Sequence, residues 1–339
     1  MTNFWEKPCF PACYVVFPQN TEFWRAAFYL AAEEYLALNF PEDDYVFTWC
    51  LHPTVVIGRN QVAHQEINLD FCKENNIDVI RRKSGGGAIY ADEGNIMVSL
   101  VTRAGKVEPL FLQYATAEVK GLRALGAPVS LSGRNDIILE GKGKICGNAF
   151  YHLTNRNIIH GTMLYSTNMN YMVGALNPDI KKLESKGVQS IRSRIGFLED
   201  KINIGVFELR DELRKMLTNR SVELTEEDVA HIEKLEQNYY NPDFLYGSPS
   251  KADIERSNHI EGCGKIEIKL HLKGTQIDNI ELSGDFFELE QATPAFNNAL
   301  KGVNFTRESV KEALEKNNPE KSIRNLRMED ILETLFSTK

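Results

Sequence analysis

Three clusters of residues in this chain have the types and spacing to do chemistry. The first is Arg81-Arg82-Lys83-Ser84-Gly85-Gly86-Gly87-Ala88-Ile89-Tyr90. Three glycines between strand-like runs allow positive φ and let a ligand approach the backbone with no Cβ in the way. Successive N–H groups in such a loop make an anion cradle, and the preceding cations add charge for a phosphate or carboxylate. A plain glycine hairpin with solvated cations fits the triplet alone, but fits its apolar flanks less well. The GxxxxGK[ST] spacing of a P-loop is absent. The GxGxxG of a dinucleotide fold leads into a helix, whereas these glycines lead into a strand.

The second cluster is Gly133-Arg134-Asn135-Asp136 followed by Gly141-Lys142-Gly143-Lys144-Ile145-Cys146-Gly147-Asn148-Ala149. Asp136 can hold a divalent cation that bridges phosphates. Lys144 opens an apolar strand, so its ammonium is expected to point into a pocket and neutralise charge on a phosphoryl or carboxyl oxygen. Lys142 fits a surface turn. The third cluster is His160-Gly161-Thr162 inside an apolar run. A histidine there suits a polar ligand contact or acid–base group, and Gly161 suits close approach of something bulky. Cys146 reads as a small buried thiol rather than an acyl-accepting nucleophile. No Ser-His-Asp order and no GxSxG elbow is present.

These clusters need elements to hold them. Tyr14–Phe17 reads as a strand, and Thr21–Leu38 as a buried helix with Thr21 as N-cap and Pro41 barring continuation. Tyr45–Leu51 and Thr54–Ile57 read as strands joined by a hairpin turn at His52-Pro53. Leu69–Asn76 reads as helix, Asp78–Arg82 and Ile96–Val101 as strands, and Leu110–Leu125 as a helix closed by Gly126. Strand-like runs at Val129–Leu131, Asp136–Leu139, Lys144–Phe150 and Ile159–Leu164 follow too closely for helical crossovers. The expected fold class is therefore α+β with a mixed, mostly antiparallel sheet flanked by helices. Residues 168–238 are mainly helical in pattern, and the Pro-, Gly- and Asn-rich stretch 238–250 reads as a boundary. Lys265–Leu272 and Ile277–Leu282 form a hairpin about Gly274-Thr275, and helical patterns at Glu290–Leu300, Arg307–Glu315 and Met328–Phe336 complete a small unit. Two domains are expected, 1–240 and 250–339.

Composition excludes several classes. With 339 residues, 42% apolar and 25% charged, the chain closes a sizeable core, and disorder or coiled coil is ruled out. No apolar run reaches transmembrane length, and the N-terminal MTNFWEKPCFPACYVVF lacks the layout of a secretory signal, so a cytoplasmic protein is expected. The net charge of −8 makes it a poor non-specific ligand for nucleic acid, yet leaves room for an anionic small molecule. Six scattered cysteines complete no zinc set.

Taken together, RRKSGGGAIY, GRND…GKICGNA, HGT and SKGVQSIRSRI at 185–195 resemble, in this order, the lipoate–protein ligase A family. The small C-terminal unit looks like that family's accessory domain, so the resemblance spans nearly the whole chain. It implies a catalytic fold shared with biotin–protein ligases, and an ATP-dependent reaction. Lipoate would be activated to lipoyl-AMP with release of pyrophosphate, then passed to a lysine of an acceptor lipoyl domain. The acceptors would be those of 2-oxoacid dehydrogenase E2 subunits or the glycine cleavage H protein. ATP and Mg²⁺ would be co-substrate and activator, with no tightly bound cofactor. Carried over, the catalytic residue is Lys144, touching both the lipoyl carboxyl oxygen and the phosphate. Arg82, Gly85, Gly86, Gly87, Ala88, Ile89, Tyr90 and Asp136 would contact ATP or the adenylate, Asp136 through Mg²⁺. Ser84, His160 and Thr162 would contact lipoate, with the apolar tail against Trp49 and Val56. Ala91 stands where a histidine is frequent, and Cys146 where a serine is. The rival of the same fold is an octanoyltransferase acting from acyl carrier protein through a thioester on Cys146, without ATP.

Overall fold

The computed structural model describes residues 12–18, 25–103, 105–132, 136–153, 155–176, 194–246 and 252–336. Its largest element is an eight-stranded sheet. In spatial order it runs β11 (Thr218–Glu223), β1 (Ala12–Val16), β2 (Tyr45–Trp49), β6 (Asn95–Thr102), β10 (Arg156–Leu164), β9 (Gly143–Leu153), β8 (Asp136–Leu139) and β7 (Val129–Ser132). β1 is parallel to both of its neighbours, and every other pairing is antiparallel. This is the mixed sheet that the short spacing of the strands required.

The two faces of the sheet follow from the period of two in a strand. Ile96, Val98 and Leu100 of β6 face the Val107–Ala124 and Val206–Leu217 helices, while Met97 and Val101 face the Ala26–Asn39 helix. That last helix is apolar nearly all round (AAFYLAAEEYLALN), as a buried helix should be, and it carries Glu33 and Glu34 inside with it. It ends at Phe40 before Pro41, and its N-cap is Arg25. The Thr21 expected to cap it lies outside the described residues. Gly126, at φ +94, closes the Val107–Ala124 helix region as expected.

A separate three-stranded sheet, β4 (Asp78–Arg81), β3 (Thr54–Ile57) and β5 (Ile89–Ala91), holds the glycine-rich loop. The hairpin expected at His52-Pro53 is therefore absent: β2 and β3 belong to different sheets. Val55 and Ile57 bury against Met169, Met172 and Val173 of the Met169–Ala175 helix, and β3 pairs in parallel with β4, so the chain turns away from the large sheet at this point.

β12 (Ile254–Ile260), β13 (Gly264–Lys273) and β14 (Gln276–Gly284) form a third sheet with a core of its own, covered by helices 292–300, 307–317 and 328–336. β11 and β12 were not expected. Thr218–Glu223 is polar and largely exposed, and it becomes a strand because the edge of β1 offers it a ladder. Among the described residues, no helix is long and apolar enough to cross a membrane.

Candidate active site

β4 and β5 flank β3, so the loop joining them, residues 82–88, must cross the end of β3 at Gly58. A side chain there would force the loop to shift: a Cβ on Gly58 would stand 1.9 Å from the Gly86 carbonyl oxygen. Gly86 takes φ +87, a conformation that favours glycine. The loop is held from inside by Arg82. Its Nη2 donates to the carbonyls of Gly85 (2.7 Å) and Gly87 (2.8 Å), its Nη1 to Val56 (3.0 Å), and its Nε to Ser84 Oγ (3.0 Å). Burial lowers its guanidinium to about 10, still protonated at neutral pH.

The three cations of the motif thus do not face a ligand as a group. Arg81 Nη1 donates to the carbonyls of Gly58, Arg59 and Gln61, and Lys83 pairs with Glu34 at 2.6 Å. The N–H of Gly86 donates to the carbonyl of Phe286, 3.2 Å away in the C-terminal unit. Among the described residues, no acceptor meets the N–H groups of Gly87 and Ala88, which line the main cavity. Gly85 lies instead against the Phe286 carbonyl.

That cavity, about 320 Å³, brings together most of the expected residues: Arg82, Gly86–Tyr90, Lys144, His160, Thr162, Trp49 and Val56. Register explains its layout. Trp49, Met97, Thr162, Gly147 and Asp136 are successive partners across β2, β6, β10, β9 and β8. Direct partners share a face, so one row runs from an aromatic end to a carboxylate over four strand spacings, roughly 19 Å.

Lys144 reaches that row through a bulge. Ile137 pairs with Cys146 but Ile138 pairs with Lys144, so one extra residue in β9 re-aims the lysine. Its Nζ stands 2.8 Å from Asp136 Oδ1 and crosses Gly147, where a Cβ would come within 2.6 Å of it. Lys144 lines the cavity, as expected, although its side chain is 43% exposed. Its backbone is fixed by two bonds to the 194–196 segment, Lys144 N–H to Arg194 O and Gly196 N–H to Lys144 O. The rest of the 185–195 motif, and Gly133-Arg134-Asn135, lie outside the described residues.

His160 is buried, with Nε2 2.6 Å from Ser84 Oγ and Nδ1 3.0 Å from both oxygens of Glu33. Ser84 itself does not line the cavity. It is fully buried behind the wall, its oxygen occupied by Arg82 and His160. Asp92, beside Ala91, accepts from Gly94 N–H, Thr167 Oγ1 and Asn168 N–H and so secures a turn. Cys146 is 1% exposed, and burial pushes its thiol well above the usual range. A thiol so protonated is a poor nucleophile, which argues against the thioester rival.

Sequence reasoning missed Glu33 and Phe287. Glu33 left a signal, a carboxylate pair inside an apolar helix. Phe287 left none: it packs into the core of the large sheet, stacks on Phe150 at 5.9 Å and lines the cavity.

Comparison with known proteins bears on this geometry. The family described as lipoyl protein ligase A/B catalytic domain matches residues 25–218, and bacterial lipoate protein ligase C-terminus matches residues 250–335. Lipoate-protein ligase LplJ of Bacillus subtilis (strain 168) is 34% identical over 321 residues, covering 91% of this chain and 96% of that protein. The crystal structure of P. falciparum LipL1 in complex with lipoate is similar with a TM-score of 0.74 at 19% identity, covering 95% of this chain and 97% of that one. A crystal structure of lipoate-protein ligase A bound with ATP is similar with a TM-score of 0.59 at 24% identity, covering 70% of this chain and 99% of that one. The two structures share the fold, and the sequence relative carries the kinship: this chain belongs to the lipoate–protein ligase family, and is a ligase.

Proposed function

We propose that the row from Trp49 to Asp136 holds lipoate along its length, tail at the tryptophan and carboxylate at Lys144, beside ATP on the glycine loop. The protein is an ATP-dependent lipoate ligase. A carboxylate is a poor electrophile because its leaving group would be oxide. Attack of a carboxylate oxygen on the α-phosphorus of ATP forms a P–O bond, breaks the bond to the bridging oxygen and releases pyrophosphate. The acceptor lysine amine then attacks the carbonyl of lipoyl-AMP, forms the amide, loses a proton and expels AMP.

The apolar side chains exclude water from the anhydride, and the cavity aligns the reactants. Lys144 Nζ would touch the carboxyl oxygen and the phosphate at once, and stabilise charge as it develops. The N–H groups of Gly87 and Ala88 are the donors left for a phosphate or nucleoside contact. Among the described residues, no three His, Cys, Asp or Glu side chains gather into a metal site. Mg²⁺ commonly uses one or two carboxylates plus substrate phosphates, and Asp136 suits that arrangement. Mg²⁺ held there with the triphosphate would offset charge on the leaving group. Lipoyl domains are the acceptors, those of E2 subunits or the H protein in our reading, in the cytoplasm. Residues 1–240 would be the catalytic unit and 250–339 the accessory one.

The observation that carries this reading is the single-face row ending at the Lys144–Asp136 pair. Purified protein with lipoate, ATP and Mg²⁺ should release pyrophosphate and load an added lipoyl domain. Lys144→Ala should lower the rate on the order of 10²-fold, as loss of one preorganised charge does. Full activity in that variant refutes the assignment.

A further inference from the structure

We propose that Glu33 is a positioning residue for the glycine loop, acting through a buried chain of hydrogen bonds that ties the aromatic end of the cavity to its nucleotide end. This rests on the lipoate and ATP reading above. Glu33 is fully buried. A buried carboxylate is costly unless satisfied, and this one is satisfied by two groups. Ser99 Oγ donates to it at 2.5 Å, and His160 Nδ1 stands 3.0 Å from both of its oxygens.

We assign the direction of the chain from the one hydrogen that Ser84 carries. Ser84 Oγ already accepts from Arg82 Nε, so its one hydrogen is available for His160 Nε2 at 2.6 Å. An imidazole that accepts at Nε2 carries its proton on Nδ1, facing Glu33. Arg82 then donates to Ser84, Ser84 to His160, and His160 to Glu33. On the other side Trp49 Nε1 donates to Ser99 Oγ at 2.9 Å, and Ser99 donates to Glu33. Both branches end on one carboxylate.

Two consequences follow. Arg82 makes no ion pair among the described residues, and the hydrogen-bond chain that starts at its Nε reaches a buried anion, Glu33, three bonds away. Arg82 Nη2 in turn fixes the carbonyls of Gly85 and Gly87, and through the second of these peptides aims the Ala88 N–H. Trp49 and His160 line the cavity, whereas Glu33 and Ser84 do not. Contact at the tryptophan end is thereby linked to the geometry of the loop. Networks of this kind respond as a unit when one member is removed.

The test is Glu33→Gln in the full chain, with lipoate-dependent pyrophosphate release measured over ATP and lipoate titrations. Gln keeps the volume but replaces one acceptor with a donor aimed at Ser99 or His160. The expected result is a KM for ATP raised on the order of tenfold, with the KM for lipoate changed much less. Ser84→Ala, which cuts the chain between His160 and Arg82, should give the same ATP-side signature. The double variant should be no worse than the poorer single one. A raised KM for lipoate with that for ATP unchanged would make Glu33 only support for the acyl wall and overturn the proposal. So would additive losses in the double variant. If Glu33→Gln fails to fold, Ser84→Ala decides the question alone. Wild-type protein that releases no pyrophosphate refutes the ligase reading itself, a separate failure visible before any variant is made.

Discussion

Gly147→Ala is the substitution that best separates the geometry of this site from its stability. A Cβ at 147 would lie 2.6 Å from Lys144 Nζ and 2.7 Å from Lys144 Cε. Ordinary contact begins at about 3.4 Å, so the ammonium must retreat by roughly 1 Å. The displaced atoms are the end of a flexible, partly exposed side chain, so folding should change by less than about 1 kcal/mol. A reacting group misplaced by ~1 Å costs up to ~10²-fold in rate. Pyrophosphate release should therefore fall on the order of 10- to 10²-fold, while the melting temperature holds. The decisive comparison is the same change in a Lys144→Ala background. With no ammonium to displace, the added methyl should cost only the little room it takes from the lipoate row, so the two losses combine far below their product. A Gly147→Ala enzyme of wild-type rate, or a second full loss in the Lys144→Ala background, would refute the placement of Nζ as the group that matters.

Other consequences can be checked with simpler measurements. Gly58→Ala forces a Cβ against the Gly86 carbonyl, a backbone atom that cannot swing aside, and should cost about 1–3 kcal/mol of stability and raise the KM for ATP; an unchanged melting temperature would count against the loop path. Glu118 is fully buried, and burial raises its carboxyl from 4.5 to about 8, with Tyr114 donating to it at 2.9 Å. The folded state then holds a proton that the unfolded chain releases, so stability falls as pH rises from about 4.5 to about 8. Glu118→Gln should flatten that part of the melting-temperature profile relative to wild type, and parallel profiles would refute the buried neutral acid. Cys146→Ser should leave ATP-dependent ligation essentially unchanged, whereas its collapse would revive a thioester route.

The local chemistry of this protein was written in its sequence. Three glycines between apolar strands, a lysine opening a third strand and a His-Gly-Thr in a fourth single out a candidate anion-binding site, because such features act over a few residues. Most of the strands along the chain and the class of fold were legible for the same reason: periodicity and short connections are local properties. Tertiary structure decided the rest. Only pairing register could put Trp49, Met97, Thr162, Gly147 and Asp136 on one face, since each belongs to a different strand. Only a bulge, invisible in composition, could turn Lys144 onto that row. The cations of RRK could be counted but not aimed; carbonyls brought in by Gly58 and the loop itself claimed Arg81 and Arg82. Glu33 lies 127 residues from His160, and Phe287 follows the strands of the C-terminal sheet yet packs into the core of the large one. Contacts of that separation depend on how sheets and helices stack, and a linear pattern carries no record of stacking.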